Sequence, residues 1–181
     1  MIKRSGDAMV LAFLALLVAC SPLPAATPTP TTSVDPARAS VAAFVLALRT
    51  LDRDTEAWGK DFDAYVQRAP SMQQTSMLSE FDRMSARYDV LVDRLKAIEP
   101  PAEPTAQATY AKWVTAFAKT QQLVRALREV AATRQGDEAK VQAMDDESMT
   151  AGTEASDAMR DLITRFQLNP EEITPPPQGS K

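Results

Sequence analysis

The chain has 181 residues, 20 basic against 24 acidic, no histidine and one cysteine, with a net charge of −4. A mildly acidic chain lacks the basic footprint that phosphate backbones demand, which argues against nucleic acid as a partner. Without histidine there is no histidine-ligated haem, no Ser-His-Asp triad and no His-rich metal site. A single cysteine also rules out an intrachain disulfide, so stability has to come from a core.

The N-terminus has the three parts of a secretory signal. Lys3 and Arg4 give a positive start, Met9 to Val18 is an uncharged apolar run, and small Ala19 precedes the cysteine. The run is well short of the roughly 20 residues needed to span a bilayer. Leu17-Val18-Ala19-Cys20 resembles the lipobox of bacterial lipoproteins, matching it at every position. The resemblance covers only the first 20 or so residues. It implies that residues 1–19 are removed, that a diacylglycerol is attached to the Cys20 thiol, and that the new amine is open to acylation. Two or more acyl chains make a stable anchor, at about 0.8 kcal/mol per buried CH₂. The implied address is the cell envelope. Ser21 in place of Asp favours the outer membrane in a two-membrane cell; in a one-membrane cell the motif implies the outer face of the plasma membrane. A lipidated Cys20 leaves no thiol for cysteine catalysis.

Residues 20–34 carry the lipidated cysteine and a Pro/Thr/Ala-rich tether. Such a composition cannot bury a core. It reads as a disordered spacer of roughly 40 Å, at about 3.1 Å per residue where polyproline-like.

The prolines are numerous but not scattered. They cluster at Pro22 to Pro36, at Pro100, Pro101 and Pro104, and at Pro170 to Pro177, with Pro70 alone, and helix formers fill the spaces between. Asp35-Pro36 predicts a helix start. Val41, Phe44, Leu48, Leu51, Thr55, Trp58, Phe62 and Tyr65 then recur at three-four spacing along one face, and only Thr55 breaks the apolar series. A second helix is predicted from a Ser71 cap to about Ile98, with Met77, Phe81, Met84, Tyr88, Leu91, Leu95 and Ile98 as its stripe. A third runs from Glu103-Pro104 to about Arg134. Its stripe of Tyr110, Trp113, Phe117, Val124, Leu127 and Ala131 is interrupted by Thr120, and Gly136 is placed as its C-terminal cap. The fourth is capped by Asp137 and ends near Leu168, before Asn169-Pro170. Its ends are apolar (Val141, Met144; Met159, Leu162, Ile163, Phe166), but its middle, residues 148–156, is small and polar.

Four helices of about 28–34 residues joined by short turns predict an all-α, up-down-up-down antiparallel four-helix bundle over residues 35–169. Residues 170–181 read as a Pro-rich tail, either disordered or lying on the surface.

Asp145, Asp146 and Glu147 form an acidic run, but consecutive helical residues point about 100° apart and cannot converge on one ion. A di-iron bundle would need Glu-x-x-His pairs. Neither a metal nor any other cofactor beyond the Cys20 lipid is expected, and no catalytic residue stands out. Arg83 with Arg87, and Arg125 with Arg128, read as solvated faces, with an anionic ligand as the alternative. Small residues in the middle of the fourth helix could allow close packing, leave a cavity opposite the aromatics, or open a groove for a partner helix. Trp58, Phe62, Tyr88, Trp113, Phe117 and Gly152 are the candidate ligand-pocket residues. The leading expectation is a membrane-anchored, non-catalytic lipoprotein that acts as a structural or interaction module on another envelope protein. The alternative is a small-ligand binding or sensing domain built on the bundle core. An interaction module should expose an apolar patch of several hundred Å²; a ligand binder should enclose a pocket with a few inward polar groups.

Overall fold

The first long helix, α1 (Pro36–Arg68), begins where the sequence places it, with Asp35 accepting the Ala37 amide at 3.0 Å and Pro36 in the first turn. The structure is a computed structural model that describes residues 35–133 and 136–176. The signal segment, Cys20 and the tether lie outside the described residues, as do Arg134, Gln135 and residues 177–181.

Pro70 ends α1, and Ala69–Ser71 tighten into a 3-10 turn. Ser71 does not cap the next helix. Its hydroxyl donates back to the Arg68 carbonyl at 2.8 Å, and Met72 is extended to carry the chain across. The second helix, α2 (Gln74–Lys96), is therefore shorter than expected, at 23 residues. The third, α3 (Pro104–Thr133), is opened by the Glu103 carboxylate, which accepts the Ala106 amide at 2.7 Å. Gly136 follows it, and a Cβ there would run into the Val130 side chain, so close approach explains the glycine. The fourth, α4 (Glu138–Arg165), is capped by Asp137, which accepts the Lys140 amide at 3.2 Å.

These four form an all-α, up-down-up-down antiparallel bundle, with no strand among the described residues. Aromatic tips that bond carbonyls of neighbouring helices set the register. Trp58 Nε1 donates to Met84 O at 2.9 Å, and Tyr65 Oη to Met77 O at 3.2 Å. Tyr110 Oη reaches Leu95 O at 3.2 Å, and Trp113 Nε1 reaches Ala155 O at 3.2 Å. The core is the expected stripes: Val41, Phe44, Leu48, Leu51, Phe81, Met84, Tyr88, Leu91, Leu95, Trp113, Phe117, Val124, Met159 and Leu162 are all buried. Val34–Lys181 form one compact unit that carries this whole core.

α4 stops earlier than the sequence suggests. Gln167 adopts a left-handed φ of 49°, and Leu168 N bonds back to Ile163 O at 3.1 Å, which closes the helix end. Nor is the following stretch a loose tail. A short α5 (Pro170–Ile173) forms through a reciprocal capping box between Asn169 and Glu172, and buries Ile173 beside buried Leu168. Arg38 of α1 grips this end. It forks onto both Glu172 carboxylate oxygens, at 2.5 and 2.7 Å, and donates to the Phe166 and Gln167 carbonyls. Further along, α1 and α4 are the neighbouring pair that touch least. Arg38 ties the start of α1 to this end, and Arg53, further along α1, donates to the Pro176 carbonyl at 2.6 Å.

Candidate ligand pocket

Three of the four predicted stripes have a polar interruption: Thr55 in α1, Thr120 in α3, and the small middle of α4. In the fold these interruptions come together. A cleft of about 210 Å³ in the α1–α4 seam is lined by Asp52 and Thr55 of α1, Tyr88 of α2, and Trp113, Ala116, Phe117 and Thr120 of α3. Gly152, Ala155 and Ser156 of α4 complete it. Antiparallel pairing makes this necessary. With Trp113 opposite Ala155 and Thr120 opposite Ser148, the middles of α3 and α4 share a level.

The middle of α4 combines two of the three readings its sequence allowed. Ala151 and Ala155 are buried against α3, close enough for the Trp113 indole to reach a helix carbonyl. Gly152, one residue round the helix, faces open space: a Cβ there would meet nothing within 4 Å.

Four of the six candidate pocket residues, Tyr88, Trp113, Phe117 and Gly152, line this cleft. Trp58 and Phe62 do not. Trp58 points toward α2, where its indole is committed to Met84 O, and it meets Tyr88 from behind at 4.7 Å. Phe62 stacks on Trp58 at 5.0 Å and packs edge-on against Phe81 at 5.7 Å. Their part is to support the wall. Rings run in series from Trp58 through Tyr88 to Phe117 (5.8 Å) and Trp113 (6.0 Å).

The polar groups are unequally satisfied. Thr55 and Thr120 donate to their own helix at Leu51 O and Ala116 O, and Thr120 also pairs with the Ser148 hydroxyl at 2.8 Å. Burial pushes the Tyr88 phenol up to about 12, although a hydrogen bond with Thr120 pulls the other way. Asp52 is the outlier. It is half-buried, and among the described residues it has no hydrogen-bond or ion-pair partner. Burial, reinforced by Glu56 and opposed by Arg49, raises its carboxyl above the usual range. Sequence reasoning missed Asp52 as a pocket residue. The available signal was its phase, four residues after Leu48 and three before Thr55, on the buried stripe.

Several charges elsewhere are paired. A cleft between α1 and α2 beside Trp58 holds Asp54 bound to Arg94 at 2.8 Å, with Arg87 held by Asp61 at 2.8 Å. Arg128 meets Asp82 at 2.9 Å, Arg83 meets Glu80 at 3.3 Å, and Arg125 is exposed. The acidic run on α4 splays: Glu147 pairs with Lys119 at 2.6 Å, and Asp146 accepts from Gln142 at 3.0 Å. Among the described residues no set of three acidic, histidine or cysteine side chains gathers as metal ligands. The exposed large hydrophobics, Val66, Val90, Val114 and Met149, fall one on each long helix. None of the described helices is long and apolar enough to cross a membrane.

Compared with known proteins, the chain matches no protein-family model, no curated protein and no solved structure.

Proposed function

We propose that this protein is a lipid-anchored lipoprotein of the cell envelope whose helical bundle is a non-catalytic, small-ligand binding domain. The observation that carries the binding half is the convergence of Thr55, Thr120 and Gly152 on one aromatic-walled cleft. Three breaks in three separate stripes would each weaken a bundle built only for packing. Gathered together, they make a pocket with a few inward polar groups. The Leu17-Val18-Ala19-Cys20 motif supports the anchor, and the segment up to Val34 gives the domain reach from the membrane.

A second reading keeps the envelope-protein partner. It is favoured by the first half of α4, where Val141 and Met144 are half-exposed and stay out of the buried core, and Met149 is 59% exposed. An apolar helix face left like this suits a partner helix.

One experiment tests both halves of the leading reading. Cys20→Ser should move the protein from the membrane to the soluble envelope fraction. The released protein should then melt higher as purified than after unfolding, dialysis and refolding, because a ligand bound only to the native state adds stability. Protein that stays on the membrane would contradict the anchor. Identical melts would contradict the ligand.

A further inference from the structure

The cleft also indicates what kind of ligand would fill it. This step rests on the ligand-binding reading above and adds its chemistry. The deciding group is Asp52, a half-buried carboxylate that lines the cleft and has no hydrogen-bond or ion-pair partner among the described residues. Thr55 and Thr120 are bonded within the protein, and Ser156, the remaining hydroxyl contributed by α4, is exposed.

An anionic ligand would be repelled by Asp52, with Glu56 one turn further along α1 adding to the field and Arg49 one turn back offsetting part of it. A neutral apolar ligand would cover a carboxylate and leave it unpaired, which is costly. A divalent metal needs six or more oxygens, or a carboxylate set, and the cleft offers one carboxylate. A cation on an organic frame fits both features: the carboxylate takes the charge, and aromatic rings attract cations. At about 210 Å³ the space lies below the roughly 300–1,000 Å³ of drug-sized sites, so the bound group is compact. Between ammonium types, the walls decide. A primary ammonium brings three N–H donors that each need an acceptor. A methylated ammonium brings none, and its methyl groups match the rings and Ala116.

We propose that the α1–α4 seam binds a compact quaternary-ammonium group, seated between the Asp52 carboxylate and the rings of Tyr88, Trp113 and Phe117. The same head group occurs on small solutes and on choline lipids, and the tether would allow the domain to meet either.

The test is calorimetric titration of the Val34–Lys181 unit with choline and with 3,3-dimethyl-1-butanol, its uncharged isostere. Tryptophan fluorescence, from Trp113 in the cleft wall and Trp58 behind it, is followed in parallel. Choline should bind saturably and at least tenfold more tightly than the isostere. Asp52→Asn should abolish that preference while the protein still melts cooperatively, and Gly152→Leu should lose both ligands by filling the cleft. Phosphatidylcholine vesicles that compete with choline, where phosphatidylglycerol vesicles do not, would assign the group to a lipid. No competition from either would assign it to a free solute. Equal binding of choline and isostere, both lost in Gly152→Leu, would overturn the cation and leave the pocket standing. Binding of neither, with fluorescence unmoved, would overturn the cation. If the melts before and after refolding are also identical, the ligand-binding reading falls with it.

Discussion

At the residue scale, Asp52 is where stability and the proposed binding role make opposite demands. Its raised carboxyl value means that the folded state holds the proton more tightly than the unfolded chain does. The linkage sign follows: folding is favoured by this group below the ordinary Asp value of about 4. That advantage is lost as pH climbs through the raised folded value, and the ionised carboxylate is then a cost at neutral pH. Arg49 offsets part of it, and Glu56 adds to it. Single stabilising substitutions, surface-charge changes among them, commonly add about 0.5–2 kcal/mol. Because Asp52 keeps partial exposure, the lower end applies, or roughly 2 °C in Tm for a chain of this size. Asp52→Asn should therefore melt higher than the parent at pH 7 and level with it at pH 3. A lower Tm at pH 7 would show that the carboxylate has a stabilising partner. Asp52 escaped the sequence reading because α1 carries several acids in this region, Asp54, Glu56, Asp61 and Asp63 among them. Only phase on the helix separates the one facing the α1–α4 seam from Asp54, which turns to Arg94 of α2, and from those facing water. Tyr88, Trp113 and Phe117 were legible because large aromatics on a three-four stripe point inward whatever the packing details.

At the element scale, the helices and their stripes could be read from the sequence because proline and capping residues act locally. Asp35, Glu103 and Asp137 each open a helix with their own side chain. The misplaced boundaries have tertiary causes. α4 ends at a left-handed Gln167, a conformation that L side chains rarely adopt and that glycine usually supplies. No local signal marks it. The carbonyls left over at that helix end are taken by Arg38, 128 residues away in sequence. The same guanidinium holds Glu172, which keeps that carboxyl below its ordinary range, assisted by the Asn169 amide. A fork between α1 and α5 is invisible to any reading that treats prolines as stop signs. Arg38→Ala should release α5, and limited proteolysis should then cut between residues 167 and 176 while the rest of the bundle resists. Unchanged protection there would mean that buried Ile173 and Leu168 hold the segment without the fork.

At the scale of the molecule, three of the four helix interfaces are between chain neighbours and are fixed by short turns. The fourth, between α1 and α4, joins helices distant in sequence and is the loosest. A bundle that leaves one seam slack has a natural place for a ligand, and here the slack coincides with the polar breaks. Small residues in the middle of α4 announced that something happens there. They could not announce which neighbours they would face, since that depends on closing the bundle. The structure answers this with Ala151 and Ala155 toward α3 and Gly152 toward the cleft. The central claim is that this cleft is occupied in the cell. The most direct measurement is native mass spectrometry of Val34–Lys181 produced in a bacterial periplasm, beside its Gly152→Leu variant. The account predicts a bound mass on the parent that is missing from the variant, with both monomers folded. A bare parent, or the same added mass on both proteins, would contradict it.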